Sequence, residues 1–128
     1  MAIKLVIVDD APFIREVLRH IFNGTEIDVV GEAFDGDAAV SLVKRVVPDV
    51  VLMDLVMPNK SGIEATAEIL KAEPGVKIIA CSTIDQNAMM MRALEAGCCH
   101  YLTKPFKSND VLQAVRKAAE SQSKEGRS

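Results

Sequence analysis

Five short apolar runs recur along the 128-residue chain, at Ile3 to Val8, Asp28 to Ala33, Val50 to Met53, Lys77 to Cys81 and His100 to Leu102. Each is too short for a helix, and several are rich in Val and Ile, which favour strands. Between the runs the spacing changes. Ile14, Val17, Leu18 and Ile21, and then Ala39, Leu42, Val43 and Val46, recur at i, i+3, i+4 and i+7, one face of a helix. A third segment after Gly62 carries Ile63, Ala67 and Leu70, a fourth runs from about Gln86 to Ala96, and a fifth carries Leu112, Val115 and Ala119. Pro12 suits a first helical turn, Ser108 suits a cap, and Pro48, Pro74 and Gly97 fall between elements. The pattern is (βα)₅. Nearly continuous apolar strands alternating with helices predict an α/β fold: a doubly wound parallel sheet covered on both faces.

Composition narrows what such a domain does. Fifteen Lys and Arg against eighteen Asp and Glu give a net charge of −3, so the basic surplus that nucleic-acid binding needs is missing. Cys81, Cys98 and Cys99 show no C-x-x-C or Cys/His ligand spacing, which argues against zinc and against a disulfide framework. No run approaches the roughly twenty apolar residues of a membrane span, and the N-terminus lacks a signal-peptide pattern. A soluble, cytoplasmic chain is expected. Residues 1–120 read as one domain, and the polar stretch 121–128 reads as a disordered tail: a natural end, the start of a linker or an expression scar.

In open α/β sheets, ligands bind at the carboxyl ends of the strands. The residues there are Asp9 and Asp10 after the first strand, Asp54 after the third, Ser82 and Thr83 after the fourth and Lys104 after the fifth. Converging carboxylates repel one another unless a cation compensates. With no His or Cys ligands, carboxylates favour Mg²⁺ over zinc. An ammonium and a hydroxyl beside such a site provide what a phosphoryl group requires.

These residues are set in Val-Asp-Asp at 8 to 10, Met-Asp-Leu-Val-Met-Pro at 53 to 58 and Lys-Pro-Phe at 104 to 106, with Lys-Ser-Gly at 60 to 62, Ala-Gly at 96 and 97, and Tyr101 between. In that order and spacing the chain, from Ile3 to about Ala119, resembles a response-regulator receiver domain of the CheY-like type. The resemblance implies a flavodoxin-like sheet with strand order 2-1-3-4-5. It also implies that Asp54 accepts a phosphoryl group from a histidine kinase, and that Asp9, Asp10, Asp54 and the Val56 backbone carbonyl hold Mg²⁺. Lys104 would pair with a phosphoryl oxygen. Ser82 would supply the switch hydroxyl, reached by counting back from Lys104 without a gap; Thr83, where the family often has Ala or Gly, stays open as the alternative. The Lys104–Pro105 bond is cis in similar relatives.

The resemblance further implies an output face formed by the fourth helix, fifth strand and fifth helix, with Tyr101 as the switch aromatic and Thr103 beside it. Three adjacent methionines, Met89 to Met91, cannot all face the sheet, because successive helical residues point about 100° apart. Met91 and Leu94 are expected on the packed side, and Met90 on the output face. Val56 and Ile84, two residues beyond Asp54 and Ser82, cannot hydrogen-bond an in-line water, so a long-lived phosphoryl group is expected. A signalling switch for a protein partner, catalysing only its own phosphorylation and dephosphorylation, is therefore the reading. It covers either a stand-alone protein similar to CheY, with chemotaxis as the implied setting, or the receiver of a larger regulator or phosphorelay. A phosphohydrolase is disfavoured because five minimal βα units leave no cap segment. A flavin module is disfavoured because two Asp residues would repel the phosphate. Other readings, in which Asp9 or Asp10 merely caps a helix or Lys104 is a surface lysine, do not account for all the motifs together.

Overall fold

The computed structural model describes residues 2–83 and 87–127, with side chains through Glu120. The order of elements is β1 (Ile3–Val8), α1 (Pro12–Phe22), β2 (Ile27–Ala33), α2 (Gly36–Val46), β3 (Val50–Asp54), α3 (Gly62–Ala72), β4 (Lys77–Thr83), α4 (Asn87–Ala96), β5 (His100–Lys104) and α5 (Ser108–Arg127). Every strand pairing is parallel, and the sheet order is β2-β1-β3-β4-β5.

Given this order, handedness fixes which face each connecting helix covers. A right-handed crossover running from β1 to β2 places its helix on one face of the sheet, and crossovers running the other way, from β2 through β5, place theirs on the opposite face. The cores agree. Leu5, Ile7, Leu52 and Ile79 pack with Leu18 and Phe22 of α1 and Val111 and Val115 of α5. Val6, Val8, Val51 and Ile78 pack with Ala39 and Val43 of α2, Ala65 and Ile69 of α3 and Ala93 of α4. Neighbouring residues of one strand thus serve opposite cores, as the two-residue period of a strand requires.

Strand ends lie further along the chain than the apolar runs. β3 includes Asp54, β4 reaches Thr83 and β5 reaches Lys104, because the ladder continues through Asp54↔Cys81, Ser82↔Thr103 and Thr83↔Lys104. Backbone pairing does not need apolar side chains, so hydrophobicity alone stopped these strands early. α5 begins with the Val111 N–H to Lys107 carbonyl bond, which makes Ser108 its first helical residue and not its cap. Its backbone passes residue 120 without a break, while the sequence beyond that point contains no apolar residue. Gln86 and Ile84 lie outside the described residues.

One expectation is reversed. Met90 is buried together with Ala93, whereas Met91 is 60% exposed and Leu94 is 38% exposed. Both pairs have i, i+3 spacing, so local pattern left the phase open. The exit of α4 settles it: Gly97 adopts φ +118°, the Cys98 N–H bonds back to the Ala93 carbonyl, and Cys98 itself is buried. That turn brings small Ala93 against α3 and β4, and Met90 one turn earlier follows it inward.

Candidate functional site

The sheet order reverses direction between β1 and β3, and the loops leaving these strands part there to open a crevice. Asp9 and Asp10 enter it from β1 and Asp54 from β3. One oxygen from each of the three carboxylates lies within 4.8 Å of the others. Asp9 and Asp54 are buried and Asp10 is exposed, so the cluster has a closed floor and an open mouth. Neither Asp9 nor Asp10 caps α1. The cap position is Ala11, which has no side-chain bond, and Pro12 fills the first turn.

Lys104 reaches the same floor from the end of β5. Its Nζ lies 2.8 Å from Asp9 Oδ2 and 3.5 Å from Asp54 Oδ2. Burial alone would lower the lysine pKa, but the bond to Asp9 and the Asp54 charge outweigh it, and the net shift is upward. Asp54 moves the other way from an ordinary paired acid. Burial first, then repulsion from Asp9 and, less strongly, from Asp10, outweigh Lys104 and the Val56 N–H, and its pKa rises from 3.8 to about 6. The site thus holds more negative charge than one ammonium neutralises. Three hard oxygen donors at a partly open mouth suit a Mg²⁺ ion, which prefers one or two carboxylates and retains waters.

The β3–α3 loop is held close to Asp54. A Cβ on Gly62 would lie 2.2 Å from the Asp54 carbonyl oxygen, so only glycine permits α3 to begin there. The Val56 N–H donates to Asp54 Oδ1 at 3.3 Å, and the Val56 side chain is exposed. Ser82 is buried with its Oγ 3.4 Å from the Thr83 carbonyl, while Thr83 is exposed. The Lys104–Pro105 peptide is cis. Tyr101 on the edge strand β5 is 39% exposed, and Thr103 is half-buried.

Supporting residues were missed from the sequence. Asp35 caps α2 by accepting the Ala38 N–H at 2.8 Å, and its other oxygen accepts from Asn59 Nδ2 at 3.2 Å in the β3–α3 loop. Ser61 and Glu64 form a reciprocal capping box on α3. Arg15 donates to the Asp9 carbonyl at 2.6 Å. The capping signals are local and readable, since Asp35 stands three residues before Ala38 and Ser61 three before Glu64. The Arg15 contact depends on tertiary placement.

Comparison with known proteins agrees with this geometry. Residues 5–116 match the family model described as response regulator receiver domain. The chemotaxis protein CheY of Thermotoga maritima is 41% identical over 93% of this chain and 99% of its own length. The response regulator domain of Thermotoga maritima CheB superposes with a TM-score of 0.86 at 34% identity, covering 94% of this chain and 98% of that one. A Borrelia burgdorferi CheX-CheY-BeF3-Mg complex contains a chain that superposes with a TM-score of 0.84 at 27% identity, over 90% of this chain and 87% of that one. On a matched family model that spans most of its length, the chain belongs to the response regulator receiver domains.

Proposed function

We propose that this chain is a phosphorylation-driven switch in which Asp54 accepts a phosphoryl group from a histidine kinase. The observation that carries the reading is the packing of three carboxylate oxygens within 4.8 Å against the Lys104 ammonium, at the carboxyl edge of the sheet. Asp9, Asp10, Asp54 and the Val56 carbonyl would hold Mg²⁺, which when bound supplies the positive charge that phosphoryl oxygens need. An Asp54 carboxylate oxygen attacks phosphorus, the phosphohistidine nitrogen leaves, and the new P–O bond forms an acyl phosphate. Lys104, whose ammonium lies against Asp9 and Asp54, would pair with a phosphoryl oxygen. Ser82 is the hydroxyl assigned to another, with Thr83 the alternative. Withdrawal of Ser82 toward the phosphate would make room for Tyr101 to turn inward and remodel the α4-β5-α5 face.

That face is the proposed docking surface for a protein partner. Tyr101 and Thr103 belong to it, and α4 contributes Met91 and Leu94, since Met90 is buried. The similarity to CheY proteins supports a chemotaxis setting and a stand-alone role. Incubation with Mg²⁺ and acetyl phosphate should add one phosphoryl group that is labile to base and to hydroxylamine, as an acyl phosphate is. Asp54→Asn should abolish it, and Asp10→Ala should weaken Mg²⁺ binding and labelling together. Labelling of Asp54→Asn at the wild-type rate on the same peptide would rule out the assigned acceptor.

A further inference from the structure

Every polar atom of Asp9 is anchored. Its N–H donates to the Ala33 carbonyl at 3.1 Å, Oδ1 accepts the Ala11 N–H at 2.9 Å, Oδ2 accepts Lys104 at 2.8 Å, and its carbonyl accepts Arg15 Nη1 at 2.6 Å. Neither the fold nor the phosphoryl chemistry calls for the last of these. Arg15 lies near the N-terminus of α1, where the helix dipole disfavours a cation. Nevertheless its side chain is only 19% exposed.

The guanidinium is itself held. Arg15 Nε donates to Glu32 Oε1 at 3.1 Å, and Arg19 Nη1 lies 2.6 Å from both Glu32 oxygens. Glu32 is the penultimate residue of β2, a strand that contributes nothing to the carboxylate cluster. A relay therefore runs from Arg19 through Glu32 and Arg15 to the Asp9 carbonyl. That carbonyl belongs to the peptide joining Asp9 to Asp10, so holding it fixes the direction of one carboxylate relative to the other. Without a clamp, repulsion between the two acids favours rotating this peptide to separate them. A guanidinium can hold a carboxylate and a carbonyl simultaneously through its planar fork, and a lysine ammonium cannot match that geometry.

We propose that Arg15, oriented by Glu32, is a positioning residue that sets the Asp9–Asp10 peptide so that both carboxylates face the crevice before a divalent cation arrives. The proposal rests on reading the crevice as a Mg²⁺ site, and the test separates the two. Mg²⁺ affinity of the full chain is measured by calorimetry, with urea unfolding in chelator as a parallel readout. Arg15→Gln should weaken Mg²⁺ binding by roughly ten- to a hundred-fold, the range seen when supporting partners of metal ligands are removed. Arg15→Lys should restore affinity only in part, and Glu32→Gln should weaken it less than Arg15→Gln. Combining Arg15→Gln with Glu32→Gln should cost no more than Arg15→Gln alone, because Glu32 acts through Arg15. Unchanged Mg²⁺ affinity in Arg15→Gln and Glu32→Gln, with Asp10→Asn binding lost, would overturn the proposal even if the urea midpoint falls. Full binding by Asp10→Asn would instead overturn the cation site itself. Should Arg15→Gln fail to fold, Glu32→Gln decides alone: wild-type affinity in that variant overturns the proposal, and weakened affinity supports it.

Discussion

Asp54 stabilises the native state least when it is charged. Its pKa is 3.8 unfolded and about 6 folded, so the folded protein favours the protonated acid. The sign follows from linkage: well below the unfolded pKa the group is neutral in both states and costs nothing, and the penalty grows between the unfolded and the folded pKa and is complete above the latter. At about 1.4 kcal/mol per unit, the full penalty is roughly 3 kcal/mol at pH 7. Asp54→Asn should therefore raise urea stability in chelator at pH 7 by up to roughly 3 kcal/mol, with the gain vanishing well below the unfolded pKa. A destabilised Asn variant at pH 7 would show that Asp54 is held by its partners more than it is repelled. Cysteine reactivity is a second check at this scale. Burial pushes the Cys98 thiol up to about 11 and raises the Cys81 thiol further, whereas Cys99 is exposed. Native protein at pH 8 should take up one iodoacetamide rapidly, at Cys99, and the remaining thiols should react only on denaturation. The clustering of the carboxylates and Lys104 was legible in the sequence because each closely follows an apolar run, and parallel strands bring their carboxyl ends to one edge. Arg15 and Asn59 were not, because each matters only through a partner, Asp9 or Asp35, that the chain folds back to reach.

Elements were readable wherever a period was long enough to fix one face. α1 and α2 each repeat over two turns, and their buried residues include the expected Leu18, Leu42 and Val43. α4 has two competing i, i+3 stripes, and only its attachment to Gly97 and Cys98 chooses between them. The choice has a measurable consequence. Met90→Lys should destabilise the domain by about 3 kcal/mol or more, since it buries an unpaired ammonium, while Met91→Lys should stay within about 0.5 kcal/mol. Thermal melts of the two variants check this: equal losses would contradict the burial difference, and a larger loss in Met91→Lys would return the helix to the opposite phase. A weakened partner interaction in Met91→Lys with phosphorylation intact would place α4 on the output face.

At the scale of the whole molecule, the site joins the ends of several strands, so a ligand there stabilises the entire fold. A cation that binds only the native state adds about 2.7 kcal/mol at a hundred times its dissociation constant. For a domain of this size, saturating Mg²⁺ should raise the melting temperature by roughly 5 to 10 °C. Asp10→Asn, a change at an exposed side chain, should abolish most of that rise, and an equal rise in the variant would place the cation elsewhere. The strand order also places Lys104 beside Asp9 across 95 positions of sequence. During synthesis, a chain emerging from the ribosome therefore holds its acids long before β5 supplies their counter-charge. Asp9 and Asp54 gain their ammonium only when the last strand joins the sheet, so the completed floor of the crevice depends on nearly the whole chain having folded.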